Sequence, residues 1–187
     1  MKRPSPCTAA KPVNLKPAQE LFTTARLRHR VGHPDDLDPL VAIKGDDRVM
    51  AQVGNGRGMP RGKVRGRLHG DINWFAAHGA AHGIIESRET GVIVGYGGVG
   101  RYDRDRPDHL ELGYLFQEAC WGQGLGSEFV QGAIDYSFTT LGATLVHACA
   151  MPQNKASCRI MEKSGMVFEG YYPETDRNVY QLARPVS

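Results

Sequence analysis

A single α+β domain is the fold class this sequence predicts, on three observations. Strand patterns recur at 84–85, 92–96, 109–116, 143–150, 166–172 and 178–184, helices intervene at 126–141 and 154–163, and 187 residues suit one domain. A chain of this length buries about 70% of its unfolded surface, so neither a disulfide framework nor a structural metal is needed. Cys7, Cys120, Cys149 and Cys158 show no C-x-x-C pairing and read as reduced thiols of a cytoplasmic protein. No apolar run reaches about 18 residues, and no apolar core follows Met1-Lys2-Arg3, which argues against a membrane span or a signal peptide. A net charge of +3 is too mild for a dedicated nucleic-acid binder.

Residues 1–19, with Pro4, Pro6, Pro12 and Pro17 among lysines, read as a flexible tail, and 20–187 as the domain. Leu21 to Val31 suits one half-buried strand. Asp35 and Asp36 offer N-caps for a helix reaching Met50, with Pro39 in its first turn. Residues 52–70 interleave six glycines with Arg57, Arg61, Lys63, Arg65 and Arg67, and read as a solvated basic loop. A short helix from Asp71 to Gly79 follows, then two hairpin strands around Glu89-Thr90-Gly91. Strand 109–116 sets Leu110, Leu112, Tyr114 and Phe116 on one face and Glu111, Gly113 and Leu115 on the other. Phe129, Val130, Ala133, Ile134, Ser137, Phe138 and Leu141 recur at helical spacing before Gly142. Strand 143–150, helix 154–163 closed by Gly165, and a strand pair at 166–172 and 178–184 complete the chain.

Chemistry concentrates where strand 109–116 meets helix 126–141. The linking segment Trp121-Gly122-Gln123-Gly124-Leu125-Gly126-Ser127 is a glycine-rich turn at a helix start, where free backbone N–H groups and the helix dipole converge on an anion. Gly95, Gly97 and Gly100 satisfy G-x-G-x-x-G, but the polar segment 101–108 gives no helix after them, which disfavours a dinucleotide site. The turn also lacks the Gly-Lys-Ser/Thr ending of a nucleoside-triphosphate loop. Coenzyme A is the remaining common pyrophosphate ligand.

WGQGLGSE resembles the signature of the GCN5-related N-acetyltransferases (GNAT), Arg/Gln-x-x-Gly-x-Gly/Ala at a helix start, with Trp121 where Arg or Gln usually stands. The W-G-x-G form, ELGYLF before it and NKASCRIMEKSGMVFEG (154–170) after it are similar to the ribosomal-protein N-terminal acetyltransferases. With ARLRHRV and VIVGYGGV the resemblance spans roughly Leu21 to Arg184. It implies a layered α/β/α arrangement: a mixed, mostly antiparallel sheet with helices on both faces, in which strands 109–116 and 143–150 run parallel and splay apart around acetyl-CoA. It further implies that backbone groups of Leu115, Phe116 and Gln117 hold the pantetheine arm. Trp121, Gly122, Gln123, Gly124, Leu125, Gly126 and Ser127 would surround the pyrophosphate, and Asn154 would touch the cofactor from the other side.

Acetyl transfer to an amine needs a neutral nucleophile and a proton for the departing thiolate. Glu111 is the candidate base, against the plain alternative of a solvated strand carboxylate; His109, on the same face, is the alternate. Relatives that use a helix tyrosine as acid would place it at Met161, so Ser157 of Asn154-x-x-Ser157 takes that role by resemblance. Cys149 stands where some relatives carry a glutamate. His78 and His82, four apart without a third ligand, are not read as a metal site, and the basic loop lacks the aromatics of an RNA surface. The expected function is therefore an acetyl-CoA-dependent N-acetyltransferase acting on a protein N-terminus. A small-molecule amine acceptor and a non-catalytic acyl-CoA or RNA-binding module are the alternatives. The acceptor and the oligomeric state, a homodimer among the options, stay open at this point.

Overall fold

A computed structural model of the chain describes residues 19–102 and 105–185. All but the last residue of the expected tail, and Cys7 with it, lies outside them. Eight strands form one sheet: β1 (Glu20–Thr23), β2 (Leu27–Arg30), β3 (His82–Ser87), β4 (Ile93–Arg101), β5 (His109–Phe116), β6 (Leu145–Ala150), β7 (Val167–Tyr172) and β8 (Arg177–Ala183). Their order is β1-β2-β3-β4-β5-β6-β8-β7, antiparallel throughout except for the parallel pair β5–β6. Helices α4 (Leu125–Thr139) and α5 (Lys155–Lys163) bury Phe129, Ile134 and Met161 against one face. Helices α1 (Leu37–Lys44), α2 (Asp47–Met50) and α3 (Arg61–His78) pack Leu40, Met50 and Val64 on the other, over Ile84, Tyr96 and Leu115. Among the described residues no helix is long and apolar enough to cross a membrane.

Five expectations are corrected. Residues 21–31 form two strands, because the Thr24 amide bonds the Leu27 carbonyl and the Leu27 amide bonds Thr24 Oγ1, closing a tight turn. The helix expected up to Met50 breaks at Gly45, and Asp46 caps anew through Arg48 N–H at 2.8 Å. Asp36 gives α1 no side-chain cap, since its oxygens serve the Arg30 guanidinium and the His33 amide. Residues 61–70 are helical, not loop, and join the helix expected at 71–79. Val64 and Leu68, four apart, are 0% and 1% exposed and dock this segment on the sheet, while a Cβ on Gly62, Gly66 or Gly70 would meet nothing within 4 Å. Of the cysteines, Cys149 and Cys158 are free but Cys120 is disulfide-bonded, which corrects the reduced reading for that residue.

Buried charge ties the second layer to the sheet. Arg30 makes two 2.8 Å bonds to Asp36 and one of 2.6 Å to Glu86, all three side chains being almost fully enclosed. Truncating one partner of such a group typically costs about 3–5 kcal/mol, because the others stay buried and uncompensated.

His29 is buried between Phe22 and Phe129, and its Nε2–H donates to the Gly97 carbonyl at 2.9 Å. Burial pushes its pKa down to about 4; the Gly97 bond opposes this and the Arg30 charge adds to it. The unfolded chain takes up this proton near pH 6.5, the folded chain only near pH 4, so stability is lost as pH falls through that window. Urea denaturation should show a loss of about 2 kcal/mol from this group between pH 7 and pH 5, and the pH dependence should shrink by about that amount in His29→Phe.

Candidate active site

The hydrogen bonds flanking β5 decide which backbone groups face the neighbouring gap. Gln117 N–H bonds the Val94 carbonyl at 3.0 Å and Tyr102 N–H bonds the His109 carbonyl at 3.1 Å. Antiparallel pairs alternate, so between these two points Glu111, Gly113 and Leu115 bond β4, while Tyr114 and Phe116 point their N–H and C=O groups the other way. On that side β5 pairs with β6 only from His109↔Leu145 to Leu112↔Ala148. Beyond, β6 stays with β8 through Ala150↔Asn178, and a gap opens between β5 and β6. The Leu115 and Gln117 amides are thus committed to β4, and the polar groups facing the gap belong to Tyr114 and Phe116.

The gap leads into a cleft of about 550 Å³. One end is the glycine turn. Gly122 and Gly124 have φ of 71° and 78°, the left-handed region that glycine enters without strain. Gly124 is the N-cap of α4 and supplies no side-chain bond; the first intrahelical bond is Glu128 N–H to the Gly124 carbonyl. The amides of Leu125, Gly126 and Ser127 therefore have no partner within the helix and face the cleft, with the positive end of the dipole behind them. Close approach matters at Gly126, where a Cβ would stand 3.0 Å from Ile160 Cδ1 and 3.4 Å from Tyr114 Cε2. Gln123 turns its side chain back to the Ala119 carbonyl. Trp121 does the same, its Nε1–H donating to the Phe116 carbonyl at 2.9 Å, with the ring half-exposed at the cleft mouth.

The opposite wall is the start of α5. Asn154 caps it, Oδ1 accepting from Ser157 N–H at 3.1 Å, so capping falls to Asn154 and leaves the Ser157 hydroxyl available. That hydroxyl lies 3.3 Å from Tyr114 Oη, and burial pushes the Tyr114 phenol upward in pKa, keeping it protonated. Met161 is 1% exposed in the core, so the position aligned with the helix tyrosine does not reach the cleft.

Glu111 lies on the other sheet face, one residue before pairing with β6 ends. It lines a second cleft of about 400 Å³ with Tyr102, His147, Cys149, Tyr172 and Arg177, over the half of the sheet that α1–α3 leave uncovered. Cys149 Sγ donates to Glu111 Oε1 at 3.4 Å. Burial, then the Glu111 charge, push this thiol up to about 11, so at neutral pH it is a donor and not a nucleophile. His109 shares the face but bonds Arg106 and sits two residues further from the gap. His78 stacks on Trp74 and His82 on Tyr96, and among the described residues no group of three or more His, Cys, Asp or Glu is placed to hold a metal. Gly95, Gly97 and Gly100 lie within β4, which runs on to Arg101 without a helix.

Sequence reasoning missed Tyr114 as a polar group, because it occupies a regular apolar-face position; a phenol among Leu and Phe was the available signal. It also missed the wall built by Arg48, Val49, Gln52 and Val53 from α2 and the turn after it, which no local pattern announces.

The family model described as Acetyltransferase (GNAT) domain matches residues 26–167. Protein YkkB of Bacillus subtilis (strain 168) is 32% identical over 100 residues, covering 54% of this chain and 56% of its own length, so the chain spans about half the length of the curated relatives it matches. In fold it is similar to RimL, a ribosomal L7/L12 alpha-N-protein acetyltransferase, with a TM-score of 0.78 at 14% identity over 94% of this chain and 100% of that one. It is also similar to yncA of Salmonella typhimurium, solved with its cofactor acetyl-CoA, with a TM-score of 0.67 at 20% identity over 84% and 93% of the two chains.

Inorganic pyrophosphate bound at the α4 amides should raise the melting temperature with the logarithm of its concentration once that exceeds the dissociation constant. Gly124→Ala should cost about 1 kcal/mol through its left-handed backbone and reduce that ligand-induced shift, both measured by thermal melting.

Proposed function

We propose that this chain, which belongs to the GNAT family of acetyltransferases, moves an acetyl group from acetyl-CoA directly to a primary amine, and that the amine is the α-amine of a protein N-terminus. One observation carries the reading: the cleft from the uncapped α4 amides into the β5–β6 gap, with a carboxylate on the far face of the same strand. A thioester supplies an acyl group already activated toward amines, and the chain has to hold it, orient it and move two protons.

The amides of Leu125, Gly126 and Ser127 bind the pyrophosphate, assisted by the glycine turn. Backbone groups of Tyr114 and Phe116 hold the pantetheine arm where β6 has withdrawn, in place of the Leu115 and Gln117 amides that β4 occupies. The Asn154 amide nitrogen, its oxygen being used in the cap, faces the same arm. The amine approaches from the second cleft, Glu111 accepts its proton directly or through one water, and Cys149 keeps the carboxylate oriented. As the C–N bond forms and the C–S bond breaks, Ser157, backed by Tyr114, donates to the sulfur. The protonated state of Cys149 favours direct transfer over an acyl-cysteine route.

An α-amine, with pKa near 8, has an appreciable neutral fraction at pH 7 and asks little of a carboxylate base, whereas a lysine near 10.4 asks about 250-fold more. The α-amine is also the acceptor type named for RimL.

Thiol release and peptide mass should be followed with acetyl-CoA and two peptides, one lysine-free with an open N-terminus, one Nα-blocked with a lysine. Transfer to the first alone is expected; transfer only to lysine or to small amines overturns the α-amine assignment. Glu111→Gln should lower kcat about 100-fold or more, and Ser157→Ala and Tyr114→Phe about 10-fold each, with little change in the KM for acetyl-CoA.

A further inference from the structure

The anion seat at α4 is built from backbone groups, residues 121–127 contain no Lys or Arg, and Arg48, which lines the same cleft, is paired with Glu118 at 2.8 Å. A guanidinium stands beside the glycine turn, carried by the turn between β1 and β2. Arg26 Nη1 donates to the Gln123 carbonyl at 2.9 Å, from 97 residues upstream, and Nη2 lies 3.6 Å from where a Cβ on Gly124 would stand. Glu128, in the first turns of α4, fixes this pose. Its Oε2 accepts from Arg26 Nε at 2.6 Å, and its Oε1 accepts from the Arg26 amide at 2.7 Å and the Thr24 hydroxyl at 2.6 Å. Partial burial works against ionisation of Glu128, but the Thr24 and Arg26 bonds outweigh it and hold the carboxyl below its ordinary pKa.

Two of the three guanidinium nitrogens are therefore engaged in holding the group still. Nη2 makes no hydrogen bond among the described residues, and the side chain is half-exposed beside the turn. The carbonyl of Gln123 and the carboxylate of Glu128 lie on the Nη1 and Nε sides, which leaves the Nη2 side to an incoming acceptor. A phosphate oxygen is the acceptor a guanidinium suits best, and one seated on the α4 amides is a neighbour of Gly124.

We propose that Arg26 is a direct phosphate ligand of the thioester donor, a binding residue supplied from outside the glycine turn, with Glu128 as its positioning residue. The proposal rests on the reading of the cleft as a coenzyme A site. It assigns to Arg26 a cation that the turn, with Trp121 at its head, does not carry.

The test separates phosphate recognition from a mere tie between the β1–β2 turn and α4. Calorimetric affinities for coenzyme A and for pantetheine, which shares the thiol arm but has no pyrophosphate, are compared in the full chain and in Arg26→Gln, Arg26→Lys and Glu128→Gln. For Arg26→Gln we expect coenzyme A to bind about 10- to 100-fold more weakly, with a shallower salt dependence, and pantetheine to be unaffected. Arg26→Lys should recover part of the loss, and Glu128→Gln should weaken coenzyme A selectively and by less. Equal loss for both ligands, or no loss for coenzyme A, overturns the proposal. Should Arg26→Gln fail to fold, the lysine variant carries the comparison, since it keeps the charge but not the fork. Absence of coenzyme A binding by the unmutated chain would instead sink the reading of the cleft, and this proposal with it.

Discussion

The withdrawal of β6 from β5 after Leu112 and Ala148 is the constraint from which the rest of the site follows. Each strand remains bonded on its outer side, β5 to β4 as far as Phe116 and β6 to β8 as far as Ala150. The inner edges lose their strand partners together, and of the groups so freed the Phe116 carbonyl is taken by Trp121 Nε1–H. A backbone N–H or C=O facing a gap in the sheet is costly unless water or a ligand satisfies it, so the geometry that opens the wedge also makes it a binding surface for a chain of amides. The crossover between the two strands is α4, so its N-terminus necessarily begins near the mouth of the same gap.

The splay also divides the chemistry between two sides of one sheet. Tyr114 and Ser157 lie on the face covered by α4 and α5, while Glu111 and Cys149 lie on the face that α1–α3 leave bare beyond β5. The proposed base, Glu111, and the proposed acid, Ser157, stand on opposite faces and do not exchange a proton with each other directly. On the proposed assignment a reacting group in the gap meets one from each side, which suits a reaction that takes a proton at one atom and delivers one at another.

Local patterns were sufficient for β5, α4, β6 and α5, where alternation, heptad-like spacing and the glycines at 142 and 165 mark every boundary within two residues. The glycine turn and the face carrying Glu111 were legible for the same reason. What escaped depends on contacts distant in sequence. Residues 61–70 have the composition of a loop, and only the seats that Leu40, Ile43 and the sheet offer to Val64 and Leu68 make them a helix. The break between β1 and β2 is a hydroxyl-capped turn inside an apparently continuous strand, and its outcome is to aim Arg26 at a segment about a hundred residues away. The buried use of Arg30 by Asp36 and Glu86 likewise needs three elements in place before it is visible.

The glycine-rich half of α3 has a dynamic consequence. Gly62, Gly66 and Gly70 each weaken a helix by about 1 kcal/mol relative to alanine, Arg61 and Lys63 oppose the dipole at the N-terminus, and Pro60 offers no side-chain cap. Two buried side chains, Val64 and Leu68, and the exposed Arg61–Asp38 ion pair at 2.6 Å hold these turns, until Asp71 engages Arg67 and the Tyr96 hydroxyl. Segment 61–70 therefore has little helical preference of its own, and its amide protons are expected to exchange with solvent faster than those of α4. After the α2 wall of the cleft, the molecule has a stretch of backbone whose order is set by its docking on α1 and the sheet and not by its own helical preference.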